Sequence, residues 1–363
     1  MKFLHTADWQ LGMKAVHLRD KAEAARSARF QAARRILEIA RTAKVDFLIL
    51  AGDTFEHHGI ARAKVREVAS MLAQASCPVY ILPGNHDPAS PGSVWEDGCW
   101  AAAKSVFLLL RNQPVEIPGG TLYPCPALTR TSVADPTAWI PPSSGSGYRI
   151  GVAHGAVRGH VEMEPCYPIP ADAAARLQLD YLALGHNHST ATYDGGSGVV
   201  RMAYSGTHEP TKFGERNSGN VLLVDIDAPG AAPRIDTIPS HVLDWQTLDR
   251  SIRCAADIAA VAAELDALSD PEHLLVRCVL KGEAAMQDDD LERVAETIDS
   301  RFLFGELDRE GLEINTGGDA WVEDLPAGYL RSTGALLRGR AAHNATAAAS
   351  LAELRHLWRE VRP

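Results

Sequence analysis

Short apolar runs that stop at a polar residue recur through the first half of the chain. Lys2 to Thr6, Val45 to Leu50, Val79 to Leu82, Ile150 to Ala153 and Tyr181 to Leu184 are four to six residues long. That is the length of a buried strand and too short for a core helix. Each run is followed within two residues by Gly, Asp or His. Between them, Glu23 to Ala43 and Ala61 to Ala75 carry apolar residues at helical spacing with Arg and Lys on the other face, which predicts covering helices. Strands alternating with helices in this way predict a layered α/β domain. The string PPSSGSG from Pro141 to Gly147 reads as a surface loop within that domain, because strand signal resumes directly after it.

After His241 the pattern changes. It predicts a strand (Leu243 to Leu248), a helix (Ala255 to Leu268), a strand (Leu274 to Leu280), a helix (Asp288 to Ser300) and a strand (Leu312 to Asn315). The expected organisation is a main domain over residues 1–240, a small α/β cap over 241–325 and a helical tail over 326–363. In the tail, Leu351, Leu354, Trp358 and Val361 are spaced as the apolar stripe of an amphipathic helix, a face that must be buried against something.

Length and composition narrow the class. The 363 residues, 46% hydrophobic and 23% charged, fit a globular protein of one large and one or two smaller domains, and exclude a disordered or fibrous chain. No stretch approaches the roughly 18 apolar residues of a membrane helix, and Met1 to Gln10 lacks an export signal, so a soluble cytoplasmic protein is expected. The six cysteines include no CxxC pair, which excludes a zinc ribbon and fits reduced thiols. The net charge of −10 is uneven: Asp249 to Asp324 holds 7 Lys or Arg against 20 Asp or Glu. The early segment is basic. Lys14, Arg19, Lys21, Arg26, Arg29, Arg34, Arg35, Arg41 and Lys44 outnumber Asp20, Glu23 and Glu38, which predicts either a face for phosphates or a solvated helix surface.

The chemistry sits at the strand ends. Five patches stand there: Asp8-Trp9-Gln10, Gly52-Asp53-Thr54-Phe55-Glu56, Gly84-Asn85-His86-Asp87, His154-Gly155 and Gly185-His186-Asn187-His188. In open α/β sheets the C-terminal strand ends converge on a ligand crevice, so these side chains are expected to meet. Two carboxylates (Asp8, Asp53), three imidazoles (His154, His186, His188) and two amides (Gln10, Asn85) form a mixed O/N donor set suited to manganese, iron or zinc. Seven donors exceed the needs of one tetrahedral ion, whereas two ions sharing a bridging carboxylate, for which Asp53 is the natural choice, would use them all.

The series GD, GNHD, HG and GHxH, each after a strand, resembles the calcineurin-like metallophosphoesterases over about residues 1–240. Within them it is most similar to the SbcD branch, the bacterial relatives of the meiotic-recombination-eleven nucleases. HTADWQLG, AGDTFE and YSGTHEPTKFGE carry that closer likeness. The resemblance implies a four-layer β-sandwich flanked by helices, with two divalent ions, manganese foremost and magnesium, iron or zinc as alternatives. It implies that Asp8, Gln10, Asp53 and His188 hold one ion, that Asp53, Asn85, His154 and His186 hold the other, and that His86 is the catalytic acid. It further implies DNA as substrate and a coiled-coil ATPase of the SbcC kind as partner, with a homodimer as a further possibility and no membrane association. The alternatives are a stand-alone phosphatase or cyclic-nucleotide phosphodiesterase, and a catalytically weak scaffolding subunit.

Two positions depart from the family pattern. Gln10 replaces a His, offering a neutral amide where imidazole binds a transition metal more strongly. Glu56 stands where many relatives have Asp, and reads either as a group that orients a ligand or as a surface carboxylate. His5, within the first strand, reads as a packed, hydrogen-bonded histidine. His57, His58 and His208 are read as bystanders more than ligands. Trp9 has base stacking as one reading, and Phe55 has core packing as its main one.

Overall fold

The computed structural model describes residues 1–141, 146–159, 166–284, 288–314 and 319–361. The chain forms two compact units, Met1–Leu243 and Asp244–Pro363.

The first unit opens with β1 (Lys2–Thr6), α1 (Ala22–Ala43), β2 (Phe47–Ala51), α2 (Arg62–Leu72), β3 (Val79–Leu82), α3 (Cys99–Ala102) and β4 (Val106–Leu108). It continues through β5 (Val115–Ile117), β6 (Gly120–Cys125), β7 (Tyr148–His154), α4 (Ala173–Arg176), β8 (Tyr181–Gly185), β9 (Ala191–Tyr193) and β10 (Met202–Tyr204). It returns with β11 (Asn220–Asp225) and β12 (Arg234–Pro239). Two six-stranded sheets result, ordered β12-β11-β1-β2-β3-β4 and β5-β6-β7-β8-β10-β9. The strands β1 to β4 are parallel to one another, as are β6, β7, β8 and β10.

Alternation along each strand explains the layers. Leu4, Leu48, Leu50, Val79 and Ile81 pack beneath α1 and α2 with Ile36, Val65 and Val68. The intervening Phe3, Phe47, Ile49, Tyr80 and Leu82 meet Leu122, Ile150, Val152, Tyr181 and Ala183 of the other sheet. Both faces of the central strands are therefore buried, which is why they read as unbroken apolar runs rather than alternating ones. The outer face of the second sheet carries a further cluster with Ala173, Ala174 and Leu177 from α4 and its exit. The order of layers is helix, sheet, sheet, helix, the fold expected from the sequence.

Most expected elements lie within three residues of their predicted bounds. Of the PPSSGSG loop, positions 142–145 lie outside the described residues. His5 is fully buried between the sheets, its Nε2–H donating to the Leu184 carbonyl at 3.1 Å and its Nδ1 accepting from the Tyr181 hydroxyl at 2.9 Å. Trp9 is also fully buried, donating to Thr6 Oγ1 at 2.9 Å, so it presents no face to a base. Phe55 packs on Trp95 and Trp100. All six cysteines are free.

The basic stretch is only partly a solvated face. Arg26 and Arg41 pair with Glu23 and Glu38 three residues before them, and Arg29 is buried. Lys14, Arg19, Arg34, Arg35 and Lys44 are exposed.

The second unit holds β13 (Asp244–Ile252), α5 (Ala255–Ala267), β14 (Leu274–Ala284), α6 (Asp288–Arg301) and β15 (Phe304–Ile314). Its three strands are parallel in the order β13-β14-β15. The last strand begins eight residues before the expected Leu312. Its middle residues Glu306, Asp308, Arg309 and Glu310 hide the strand from an apolar count, and Arg277 of β14 pairs with Glu306 across the sheet. Two helices follow, α7 (Tyr329–Ala341) and α8 (Ala345–Val361). The α8 stripe is covered within its own unit: Leu351, Leu354 and Trp358 pack with Val322, Leu325 and Leu337. The side chain of Val361 lies outside the described residues. Among the described residues no helix is long and apolar enough to cross a membrane.

Gly185, at the end of β8, lies close against the ends of β2 and β7. A Cβ on Gly185 would lie 1.9 Å from the Ala51 carbonyl oxygen and 2.7 Å from His154 Nδ1. Gly185→Ala is therefore expected to destabilise the protein by about 3 kcal/mol. Gly98→Ala, where a Cβ meets nothing within 4 Å, should stay within about 0.5 kcal/mol of wild type. Denaturant melts of the two variants check this, and equal midpoints would contradict it.

Candidate metal centre

Hydrogen bonds beyond the strand ends hold the five patches in register. Asp8 N–H donates to the Gly52 carbonyl at 3.0 Å, Gln10 N–H to that of Asp53 at 2.9 Å and Leu11 N–H to that of Thr54 at 2.9 Å. The loop after β1 thus runs beside the loop after β2. Asp8, Gln10, Asp53 and His186 all have positive φ, at 54°, 43°, 51° and 108°. Side-chain-bearing residues rarely adopt such values, and they tend to gather at functional sites where surrounding contacts hold them.

The structure brings all eight expected side chains to one crevice. Oxygens of Asp8 and Asp53 and a ring nitrogen of His154 lie within 4.8 Å of one another. His154 Nε2 stands 2.9 Å from Asn85 Oδ1 and 3.4 Å from Asp53 Oδ2, while its Nδ1–H donates to the Ala51 carbonyl at 3.0 Å. His186 Nδ1 is 3.1 Å from the same Asn85 oxygen, and its main-chain N–H donates to the Asp8 carboxylate. Gln10 meets His188 Nε2 at 3.1 Å through its amide nitrogen. His86 donates its main-chain N–H to Asp53 Oδ1 at 2.9 Å and its Nδ1–H to the Glu56 carbonyl at 2.9 Å. Its Nε2 lies 4.0 Å from Asp53 Oδ2, on a ring that is 31% exposed.

Electrostatics show what charge the centre favours. Burial favours a protonated Asp53, yet the charges and hydrogen bonds of His154 and His86 outweigh it and hold the carboxyl at about 2. Burial likewise opposes charge on His154, but Asp53 and then Asp8 push it up to about 9. Asp8 is raised to about 6 by burial, with the Asp53 charge adding to it against the pull of His154 and His188. His186 is lowered to about 3 by burial and by its cationic neighbour His154, which keeps its nitrogen lone pair available. The proton on His154 Nε2 therefore sits among the oxygens of Asn85 and Asp53, where positive charge is required. This donor set of carboxylate, amide and imidazole fits a divalent cation in that proton's place.

Two supporting groups, Glu215 and Asp87, received no role from the sequence. Glu215 accepts from His188 Nδ1–H at 2.9 Å and is itself held by the Thr211 N–H at 2.8 Å and its hydroxyl, so that His188 turns Nε2 inward. Such a carboxylate behind a histidine is the usual orienting partner of a metal ligand. Glu215 lies inside the YSGTHEPTKFGE stretch, but no spacing rule marks it. Asp87 accepts from the N–H groups of Gly84 and Phe55, joining the loops after β2 and β3. Burial, reinforced by the Asp53 charge, raises it to about 8. Glu56 contributes its main-chain carbonyl, which accepts from His86 Nδ1–H, and its side chain is half-buried. His208 is buried away from the crevice, with its Nε2–H donating to the Arg29 carbonyl at 2.8 Å. His57 is half-buried and His58 exposed.

A double-sheet sandwich whose strand ends pool these donors defines a metal-dependent phosphoesterase. The model of the calcineurin-like phosphoesterase family matches residues 1–190, and the chain belongs to that family. It is 26% identical over 202 residues to the uncharacterized metallophosphoesterase YhaO of Bacillus subtilis, across 52% of this chain and 48% of that one. The chain thus spans about half the length of that relative. It is also 26% identical over 325 residues to the SbcD subunit of nuclease SbcCD from Rhodobacter capsulatus, across 75% and 77% of the two chains. Against the corresponding protein of Escherichia coli it is 23% identical over 311 residues, across 74% of each.

The raised Asp8 carries a stability consequence. Its folded value of about 6 exceeds its ordinary 3.8, so the metal-free fold loses stability as pH rises from 3.8 through 6. In chelator at pH 8, Asp8→Asn is expected to be more stable than wild type by about 1–3 kcal/mol. The gap should close as pH falls from 6 towards 4. Chemical denaturation across that range checks it, and a gap independent of pH would contradict the assignment.

Proposed function

We propose that the chain is a two-metal phosphodiesterase that cuts DNA, a nuclease of the SbcD kind. The convergence of seven donors and one unligated, oriented histidine at the strand ends carries the phosphodiesterase part. The DNA part is supported by the likeness, over three quarters of both chains, to proteins named as the SbcD subunit of nuclease SbcCD. The exposed Lys14, Arg19 and Arg34 offer charge for a phosphate backbone.

In this reading Asp8, Gln10, Asp53 and His188 hold one ion and Asp53, Asn85, His154 and His186 the other. Two divalent ions, when bound, supply charge neutralisation at the phosphate oxygens and lower the pKa of water. The remaining work belongs to the protein. Asp53, reached from both sides, fixes the spacing of the two ligand sets. His86 presents Nε2 to the crevice, 4.0 Å from Asp53 Oδ2, while its Nδ1–H stays on the Glu56 carbonyl. The Nε2 proton passes to the departing ester oxygen, leaving a neutral ring still anchored through Nδ1. Glu215 keeps the His188 Nδ1 proton occupied, so that its other nitrogen faces the centre.

The partner in this reading is a coiled-coil ATPase of the SbcC kind. The α7–α8 tail offers it exposed apolar side chains at Tyr329, Leu330, Leu336 and Leu357.

The test is incubation of the full chain with labelled single-strand DNA, duplex DNA and a chromogenic phosphodiester, in manganese, magnesium or chelator. Metal-dependent DNA cutting is expected. Asp53→Asn should lose turnover and manganese binding together, whereas His86→Ala should lose about 10²–10⁴ in rate with manganese binding kept. Cleavage of the chromogenic ester alone would indicate a small-molecule enzyme, and metal binding without turnover a scaffold.

Gln10 generates a separate expectation. Gln10→His should raise affinity for manganese, because imidazole is the better donor for that ion. Calorimetric titration reads it, and an unchanged isotherm would mean that Gln10 does not ligate.

A further inference from the structure

The two side chains at the outer end of the centre come from far apart. Gln10 leaves the loop after β1 and His188 the loop after β8, yet they meet at 3.1 Å. Neither strand end alone fixes that meeting, because Gln10 and the nearby Asp8 have left-handed backbone that L residues do not hold by themselves. The Thr207 hydroxyl donates to the Asp8 carbonyl at 2.8 Å and joins the two segments directly, and one buried side chain bonds to both of them as well.

We propose that Arg29, from the middle of α1, is a positioning residue for this end of the metal centre, an inference that rests on the two-metal reading above. Arg29 is 2% exposed, and among the described residues no carboxylate lies within ion-pair distance of it. It donates instead to main chain. Nε and Nη2 reach the Trp9 carbonyl at 3.1 and 2.6 Å, and Nη2 reaches that of Asp8 at 3.3 Å. On the other side Nη1 reaches the Glu209 carbonyl at 2.7 Å and that of Pro210 at 3.4 Å, while Nη2 reaches Thr207 Oγ1 at 3.1 Å.

These contacts set both halves of the Gln10–His188 pair. The Asp8 and Trp9 carbonyls immediately precede Gln10, so clamping them fixes where its side chain departs. The 207–210 segment leads to Thr211, which anchors Glu215 behind His188. Its Thr207 N–H also donates to the His188 carbonyl at 3.0 Å. A planar fork with several fixed donors can span two loops in this way. A lysine, one point charge with rotating donors, cannot reproduce the geometry.

Arg29→Lys and Arg29→Met are compared with wild type by calorimetric titration of the metal-free full chain with manganese alone. Circular dichroism and melting temperature establish that each variant is folded. Two binding steps are expected in wild type, and in both variants the weaker step should fall by about tenfold or more while the tighter one is kept. A residue needed only for folding would lower the melting temperature and leave both steps of the folded protein unchanged. Should the Met variant fail to fold, the Lys variant decides. Arg35→Met, on the exposed face of the same helix, should leave both steps as in wild type. A folded Arg29→Lys protein with both affinities intact would overturn the proposal. No manganese binding by wild type would instead overturn the two-metal reading on which it rests.

Discussion

Three carboxylates, Asp8, Asp53 and Asp87, are buried within one crevice, and their mutual repulsion is the constraint that much of the first unit is arranged to meet. A buried carboxylate survives only where hydrogen-bond donors or opposite charge reach it. Asp87 takes two main-chain N–H groups, Asp53 takes His154 and the His86 N–H, and Asp8 takes the His186 N–H. These donors come from several different strand ends. The ends of β1, β2, β3, β7 and β8 must therefore lie level with one another, and the glycines and left-handed residues at those ends let the main chain come that close.

The division of roles follows from the same electrostatics. Asp53 stays ionised because His154 is charged beside it, and that same charge helps burial keep His186 neutral. One imidazolium thus sorts its neighbours into an anion and a free lone pair. His86 stands apart, with one nitrogen tied to a carbonyl and the other turned to the crevice on a partly exposed ring. In the proposed reading, the contrast between the enclosed His154 and the accessible His86 is what separates a ligand from a proton donor.

Much of this is legible from residue order alone. The five strands that carry the centre announce themselves as apolar runs, because both their faces are buried, and the polar residues that end them are the chemical groups. Shorter strands such as Ala191–Tyr193 and Met202–Tyr204 leave too little periodicity to read. The strand Phe304–Ile314 hides behind charges that pair across the sheet. The supporting groups are harder still to find. Glu215, Asp87 and Arg29 act by holding main chain or another side chain in place, and the partners they hold are mostly distant in sequence, or are carbonyls and N–H groups common to every residue. Trp9 misleads for a related reason: between Asp8 and Gln10 in sequence, it points into the core in space.

The centre also spans the seam of the sandwich. Asp8, Asp53 and Asn85 extend from the first sheet, and His154, His186 and His188 from the second, while the layer between the sheets is otherwise largely apolar side chains in non-directional contact. In the two-metal reading, an ion held by these groups would act as a rivet through both sheets. Its removal would loosen the seam as well as silence the chemistry, and chelated protein would open to proteases along the edge where the two sheets meet, well before either sheet unravels.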